Sequence, residues 1–484
     1  MRLKKILKEI GHNADRYVDI DIKGISDNSK YVREGFLFLA LKGERLDGYD
    51  FIQEAIDRGA RVVVSYKDFI APCGVVKIIV ENKREVASDI ACAYFENPSR
   101  RLKIVGITGT NGKTTTSYLI SNIFEQAGFG TGLIGTINYK IGNRTIPAVN
   151  TTPGAIELQG YLSEMLGDGL EFVVMEVSSH SLQQERVRNI KFSSAVFTNI
   201  TQDHLDYHKT FEDYFEAKAR LFNLLEEGAR AVINIDDEYG KRLMESLKTK
   251  PITYGIKADS DIKSKIHKMD IGGSIFEVLS PYGKFEIKTK LIGLHNIYNI
   301  MAAIGVGILF GIEEEHIKKG VETLEGVKGR LEELSYGQPF KVFIDYAHTD
   351  DALRNILGIL KPLTRGRLIV VFGCGGDRDR AKRPLMGRVA TEFADYVIIT
   401  NDNPRSEEPT LIANEICNGF IDNFRNYTVI LDRYSAIKEA LRVAKNDDIV
   451  VIAGKGHETY QVLKDKVIHF DDKEVVESIL LNKA

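Results

Sequence analysis

The segment KIVGITGTNGKTTTSYLISNIFEQAG (103–128) gathers residues suited to holding phosphate. A β-branched run leads into Gly106, Gly109 and Gly112, and a helix-forming stretch opens at Lys113-Thr114-Thr115. Glycines leave backbone N–H groups free to close around phosphate oxygens, and a helix N-terminus adds partial positive charge. Lys113 would reach the β- and γ-phosphates, and a threonine hydroxyl such as that of Thr114 would ligate Mg2+. The general G-x-x-x-x-G-K-[ST] spacing is not met, because the residue five before Gly112 is Ile107. A glycine-rich strand-to-helix turn without a ligand is the plainer alternative. The strand–loop–helix context of GTNGKTT favours an ATP site, with Gly109, Thr110, Asn111, Gly112, Lys113, Thr114 and Thr115 around the phosphates.

Two further groups could work beside that loop. Glu176 ends the apolar run FVVMEV (172–177), at the edge of a parallel sheet where ligands collect. His204 lies in DHLDYH (203–208), just beyond the next strand. A hard cation wants oxygen ligands and tolerates neutral imidazole. Taken alone His204 reads as a solvated loop residue; beside a phosphate loop and Glu176 it becomes a metal candidate. The stretch TFEDYFEAKARLFNLLEEG (210–228) reads as one helix capped by Thr210, with Asp213 three residues on. Lys218 falls on its apolar stripe of Phe211, Tyr214, Phe215, Leu221, Phe222 and Leu225. The stripe admits either a lysine snorkelling at its edge or one desolvated enough to offer a neutral amine, which can react with CO2 to form a carbamate.

The last third of the chain repeats one arrangement three times. GGDRDRAKRPLMG (375–387) follows the apolar run LIVVFG, DNPR (402–405) follows YVIIT, and AGKGHE (453–458) closes IVVIAG. Most charge runs are simply solvated. Here three loops at strand C-termini would bring together Arg378, Asp402, Asn403, Pro404, Arg405, Gly454 and Glu458. Two guanidinium groups, two carboxylates and an amide suit a zwitterionic amino acid better than a nucleotide. GCGG contains no G-x-G-x-x-G, so a dinucleotide fingerprint is not supported.

Positioning these loops requires sheets. Short β-branched runs alternate with helix-length stretches throughout, apolar on both faces, which predicts mostly parallel sheets covered on both sides. The 484 residues allow three α/β domains. ENPSRRLK (96–103) and EGVKGRLEEL (325–334) read as joints, giving units at 1–100, 101–331 and 332–484. The expected architecture is a smaller N-terminal α/β domain, a central P-loop ATPase-type domain with a mostly parallel sheet, and a C-terminal Rossmann-like domain. Lys and Arg total 65 against 68 Asp and Glu, a balance that argues against bulk binding to nucleic acid or anionic membrane. No apolar run approaches a bilayer span, and MRLKKILKEIGHNADRY has no continuous leader core. The four cysteines are dispersed without metal or disulfide spacing, so a reduced, cytoplasmic protein is expected.

The motifs as a set resemble the Mur ligase superfamily, ATP-dependent ligases that form amide bonds and include the folylpolyglutamate synthetases. TGTNGKTT is followed in order by NTTP (150–153), MEVSSH (175–180), TNITQDHLDYH (198–208), EAKARLF (216–222) and GLHNIYN (293–299). Then come GR (329–330), DYAHTDDAL (345–353), GCGGDRDRAKRP, DNPR and AGKGHE. One departure is Asp350, where the family motif usually continues with proline. The order matches the branch that adds the third residue of the peptidoglycan stem peptide. The resemblance implies Mg2+ held by Glu176 and His204, and carboxylation of Lys218 to N6-carboxylysine. It places His295, Asn296, Asn299, Arg330 and Asp345 around ATP.

For the sugar nucleotide, the resemblance points to Asp27 and Ser29 in loops that by composition are ordinary turns, with Glu44, Arg45 and Leu46 adjacent. Asn150, Thr151 and Thr152 would face the muramoyl group or phosphate, and Ser178, Gln184 and Arg186 the acceptor dipeptide. The implied reaction joins UDP-N-acetylmuramoyl-L-alanyl-D-glutamate to meso-2,6-diaminopimelate through an acyl phosphate, with ATP becoming ADP and phosphate. Its partners would be these small molecules, acting on a monomer. The same ligation with L-lysine, or a folylpolyglutamate-type reaction, are near alternatives; a nucleotide-driven switch or motor is a distant one. The Asn403–Arg405 pair favours diaminopimelate, whose second carboxylate lysine lacks.

Overall fold

The computed structural model describes residues 1–43, 46–201 and 205–481. Three α/β domains follow one another along the chain, each built on its own sheet. In the first, strands Gly24–Ser26, Phe36–Ala40, Ala60–Ser65 and Val76–Ile79 pair in sequence order, all parallel. Leu37, Leu39, Val62 and Val64 point to one core; Phe38, Ala40 and Val63 point to the other. That alternation is the pleat of a strand buried on both faces.

The central sheet has eight strands, with Lys103–Thr108 between Phe192–Phe197 and Phe172–Glu176. The phosphate-loop strand is therefore central, its C-terminal end flanked by two others. Beyond Phe172–Glu176 lie Thr131–Ile134 and an antiparallel extension, Asn138–Ile141 and Arg144–Pro147. Leu225–Asn234 and Ile252–Tyr254 complete the other side. Helices Lys113–Gln126, Leu294–Leu309 and Glu314–Glu322 bury their apolar faces on one side of the sheet. Ala155–Gly167 and Phe211–Ala219 cover the other.

In the third domain, Lys341–Asp345, Ile449–Ala453, Leu368–Phe372, Tyr396–Ile399 and Tyr427–Val429 run parallel, with Glu332–Leu334 antiparallel at the edge. Helices line both faces. Asp345, Phe372, Ile399 and Ala453 all stand at strand C-termini, so the loops after them share one edge.

One local reading is corrected. The helix expected over 210–228 is α-helical only at Phe211–Ala219, tightens into a 3-10 turn at Arg220–Leu224 and becomes the strand Leu225–Asn234. Pairing of that strand with Phe192–Phe197 outweighs the local helical pattern. A small antiparallel sheet, Lys263–Asp270, Gly273–Ser280 and Gly283–Thr289, accompanies the mostly parallel ones. No helix among the described residues is long and apolar enough to cross a membrane.

Candidate active site

The phosphate loop leaves Thr108, turns through Gly109 (φ +145°) and Gly112 (φ +86°), and enters the helix at Lys113. Both glycines are sterically required. A Cβ on Gly109 would stand 1.9 Å from the Thr198 hydroxyl, and one on Gly112 would stand 2.2 Å from Asn299 Oδ1. Lys113 Nζ donates to the carbonyls of Gly109 and Thr110, at 2.9 and 2.8 Å, which curls its ammonium back over the loop. Thr198 Oγ1 donates to Asn111 O at 2.7 Å, and Asn111 N donates to Asn199 Oδ1 at 3.0 Å. The loop is thereby fixed by the end of the neighbouring strand.

Glu176 is fully buried, and its carboxylate spans the loop base. Oε2 accepts from Thr114 Oγ1 at 3.0 Å and Thr136 Oγ1 at 2.9 Å; Oε1 accepts from Thr136 N at 2.8 Å. Gly135 makes room, since a Cβ there would lie 2.5 Å from Oε1. A buried carboxylate paired with neutral donors beside a threonine hydroxyl is a hard-oxygen donor set that fits Mg2+. His204, the remaining expected ligand, lies outside the described residues, as do Glu44 and Arg45.

Lys218 is 2% exposed, so the stripe buries it rather than letting it snorkel. Its Nζ donates to Gly109 O at 2.8 Å and sits 4.3 Å from the Tyr214 ring centroid. The Thr210 cap forms as expected, accepting from Asp213 N at 3.0 Å, and it orients the helix that carries Lys218 to the phosphate loop.

A cavity of about 470 Å³ opens over the loop between the central and third domains. Its lining includes Thr110, Gly112, Lys113, Thr114, Thr115, Thr151 and Glu176 from the central sheet edge. His295, Asn296 and Asn299 reach it from the helix Leu294–Leu309, and Arg330 and Asp345 from the joint region. Asn299 Nδ2 donates to Asn296 Oδ1 at 3.1 Å, holding both amides in one orientation. Asp345 accepts from Leu331 N and Ala347 N at 2.7 and 2.8 Å, and burial pushes its carboxyl up against the opposing pull of Arg330. Arg330 Nη2 donates to Thr114 Oγ1 at 3.3 Å while its guanidinium covers the Tyr346 ring at 5.0 Å.

The remaining expected residues form two other groups. Ser29 is buried and donates to Glu54 Oε2 at 2.7 Å, while Asp27 is exposed on the first domain. Neither lines the nucleotide cavity. Around the end of Phe172–Glu176, Thr152 Oγ1 donates to Glu176 O at 2.9 Å and accepts from Ser178 N at 3.1 Å. Arg186 Nη1 donates to Thr152 O at 2.8 Å and its Nε to Gln184 Oε1 at 2.9 Å. Asn150 is exposed, held by its backbone to Tyr139 Oη. Thr152 thus joins the Glu176 backbone to Ser178 and Arg186, and Thr151 touches Thr136 at 3.1 Å.

In the third domain the three loops do meet. Asn403 Nδ2 donates to Glu458 Oε2 at 3.0 Å. Gly454 (φ +111°) lets Asp402 Oδ2 approach to 2.8 Å of where a Cβ would be. Arg405, itself at φ +52° after Pro404, donates from Nη1 to Gly376 O at 2.7 Å. Its Nε and Nη2 make no hydrogen bond among the described residues. Arg378 is exposed on the adjoining loop. Behind them Arg383, with no exposed side chain, bridges Glu407 and Glu415 and holds Glu407 down to about 2.

Sequence reasoning missed three contributors. Thr136 follows Thr131–Ile134 at the ligand edge, a position that could have pointed to it. Asp351 accepts from Asn111 Nδ2 and Thr201 Oγ1, at 3.2 and 3.0 Å, tying the third domain to the phosphate loop. His457 packs on Tyr346 at 4.9 Å between centroids, pushed down to about 4 by burial and by Arg330 and Lys328. No spacing signalled the last two, because their partners are distant in sequence.

Family models match most of the chain: "Mur ligase family, catalytic domain" over 21–95, "Mur ligase middle domain" over 107–307 and "Mur ligase, glutamate ligase domain" over 329–456. The UDP-N-acetylmuramoyl-L-alanyl-D-glutamate--2,6-diaminopimelate ligase of Clostridium tetani is 44% identical over 486 residues, covering 99% of each chain. That of Caldanaerobacter subterraneus subsp. tengcongensis is 45% identical over 480 residues, again covering 99% of each. A solved structure of a ligase with this name is 32% identical, covers 100% of this chain and 99% of its own, and superposes with TM-score 0.68. MurF from Acinetobacter baumannii shares the fold at TM-score 0.70 and 18% identity, covering 99% of this chain and 98% of its own. With its phosphate loop, buried glutamate and three-domain order matched along the whole length, the chain belongs to the Mur ligase family of ATP-dependent ligases.

Proposed function

We propose that the chain adds meso-2,6-diaminopimelate to UDP-N-acetylmuramoyl-L-alanyl-D-glutamate, converting ATP to ADP and phosphate, as a cytoplasmic monomer. The relatives that carry this name support the reading along the full length. The observation that carries the choice of amino acid is Arg405. Its Nη1 is anchored to Gly376 O, and its Nε and Nη2 make no hydrogen bond among the described residues, on a loop whose Asn403 is bonded to Glu458. The Nε–Nη2 edge of a guanidinium is the planar donor pair that receives a carboxylate. Diaminopimelate brings a carboxylate and an ammonium to the same end of its side chain; lysine brings only the ammonium.

Residues 1–100 would hold the uridine diphosphate, 101–331 ATP and the muramoyl peptide, and 332–484 the incoming amino acid. A carboxylate acylates an amine poorly until it is phosphorylated. The acceptor carboxylate attacks the γ-phosphorus, ADP leaves, and the acyl phosphate is attacked by the amine, which loses a proton as phosphate departs. Lys113 offsets the charge on the phosphoryl oxygens, and Asn296, Asn299, Arg330 and Asp345 orient the nucleotide. Mg2+ bound to Thr114, Glu176 and His204 would supply further positive charge. Carboxylated Lys218 would place an anion next to Gly109. The test is phosphate release: it should require both small substrates, whereas comparable release from ATP alone would favour a switch or motor.

A further inference from the structure

The diaminopimelate loop does not hold itself in place. The hairpin Tyr460–Val462 with Val467–His469 lies beside it and supplies the bonds that fix its backbone. Gln461, 6% exposed, donates from Nε2 to Asp402 O at 2.7 Å. Val462 N donates to Asn403 Oδ1 at 2.8 Å, and Arg405 N donates to Val462 O at 3.1 Å. Lys455, with no exposed surface, donates to Glu458 Oε2 at 3.0 Å and also to Tyr460 O. Asn403 thus has its Oδ1 on the hairpin and an Nδ2 hydrogen on Glu458. Asp402, Asn403 and Arg405 bond directly to this one element, and Glu458 is joined to it through Lys455.

We infer that Gln461 and Lys455 are positioning residues for amino-acid specificity. Gln461 clamps the carbonyl next to Asn403, and Lys455 sets the Glu458 carboxylate, so that Arg405 and Glu458 keep a fixed placement relative to each other. This rests on the reading that diaminopimelate is the substrate. Loss of Gln461 leaves a buried carbonyl unpaired and frees the loop to shift, and a small misplacement is enough to weaken a bidentate contact. Lysine has no carboxylate for the Arg405 fork, so loss of Gln461 should change its use little, whereas loss of Lys455 also disturbs the Glu458 carboxylate that would take its ammonium.

The experiment compares the full chain with Gln461→Met and Lys455→Met in steady-state ligation with diaminopimelate and with L-lysine. The KM for diaminopimelate should rise about 10-fold or more in each variant, with the KM for ATP held within about 2-fold. The preference over lysine should shrink by the same factor in Gln461→Met and by a smaller factor in Lys455→Met, because the ammonium that Glu458 would take is common to both amino acids. Lys455→Arg, which keeps the cation on Glu458, should recover part of the loss. If Gln461→Met fails to fold, Gln461→Glu retains the size and removes the donor. An unchanged preference, or KM values for ATP and diaminopimelate that rise together, overturns the inference. The unmodified chain separates the two levels. If it does not prefer diaminopimelate, the substrate reading fails; if it does and the variants keep that preference, only the positioning role fails.

Discussion

At the scale of single residues the site depends on burial more than on charge count. Lys218 has 2% exposure and lies on Gly109 O, a position from which a carbamate would face the phosphate loop. Lys218→Ala should lose most activity, and added short carboxylates should restore part of it by supplying the missing anion. Full activity of the alanine variant, or high-resolution density showing an unmodified amine in active, ATP-bound enzyme, contradicts the assignment. If Arg405 receives the amino acid as proposed, Arg405→Ala should raise the KM for diaminopimelate far more than that for ATP. Equal effects on the two constants would place Arg405 in the scaffold.

At the scale of elements, loops at strand C-termini are held by buried ion pairs behind them. Arg383 fixes the loop after Leu368–Phe372 through Gly375 O and clamps Glu407 through two bonds at 2.8 and 2.9 Å. Glu407 titrates near 2 instead of its ordinary 4.5, chiefly through its hydrogen bonds with Arg383. A carboxylate depressed on folding stabilises fully above its unfolded value and loses that contribution as pH falls toward the folded one. The stability lead of the unmodified chain over Glu407→Gln should therefore hold above pH 4.5 and narrow toward pH 2. Urea unfolding at several pH values measures it, and a gap independent of pH would contradict the pairing.

Elements show why some features were legible in the sequence and others were not. Parallel strands buried on both faces announce themselves as continuous β-branched runs, so Lys103–Thr108, Leu368–Phe372 and Ile449–Ala453 were readable, and with them the loops that follow. The glycine loop and the Thr210 cap are local patterns and formed as local patterns predict. The strand Leu225–Asn234 was hidden because its start carries helix-compatible Leu-Glu-Glu and its pairing partner lies over 30 residues upstream. Asp351 acts across a domain boundary, His457 packs on a ring carried by a distant loop of its own domain, and Gln461 works through a backbone carbonyl 59 residues away. Contacts of that kind leave no periodicity to read.

At the scale of the whole molecule the cavity over the glycine loop is shared. Arg330 of the joint reaches Thr114, and Asp351 of the third domain reaches Asn111 and Thr201, so the joint and the third domain both close over that loop. The first domain is tied to the central one through Asn189 and Asp89, at 2.7 Å, and through Ser88 and Glu185 O. Binding of ATP should consequently protect the central and third domains together against proteolysis. Arg330→Ala and Asn296→Ala should weaken that protection along with ATP affinity and turnover; variants unchanged in both affinity and turnover would remove these residues from the nucleotide site.

On the proposed reading the charged loops around Asn403, Arg405 and Glu458 select diaminopimelate. The direct measurement is competition: ATP, the UDP-muramoyl dipeptide and equal concentrations of meso-diaminopimelate and L-lysine are incubated with the chain, and the products are separated by mass. A site built around a carboxylate rejects the analogue lacking it by about 10⁴ or more when the buried donor is left unpaired. The account predicts a diaminopimelate product with at most traces of the lysine one. Equal amounts of the two, or lysine in excess, would contradict it.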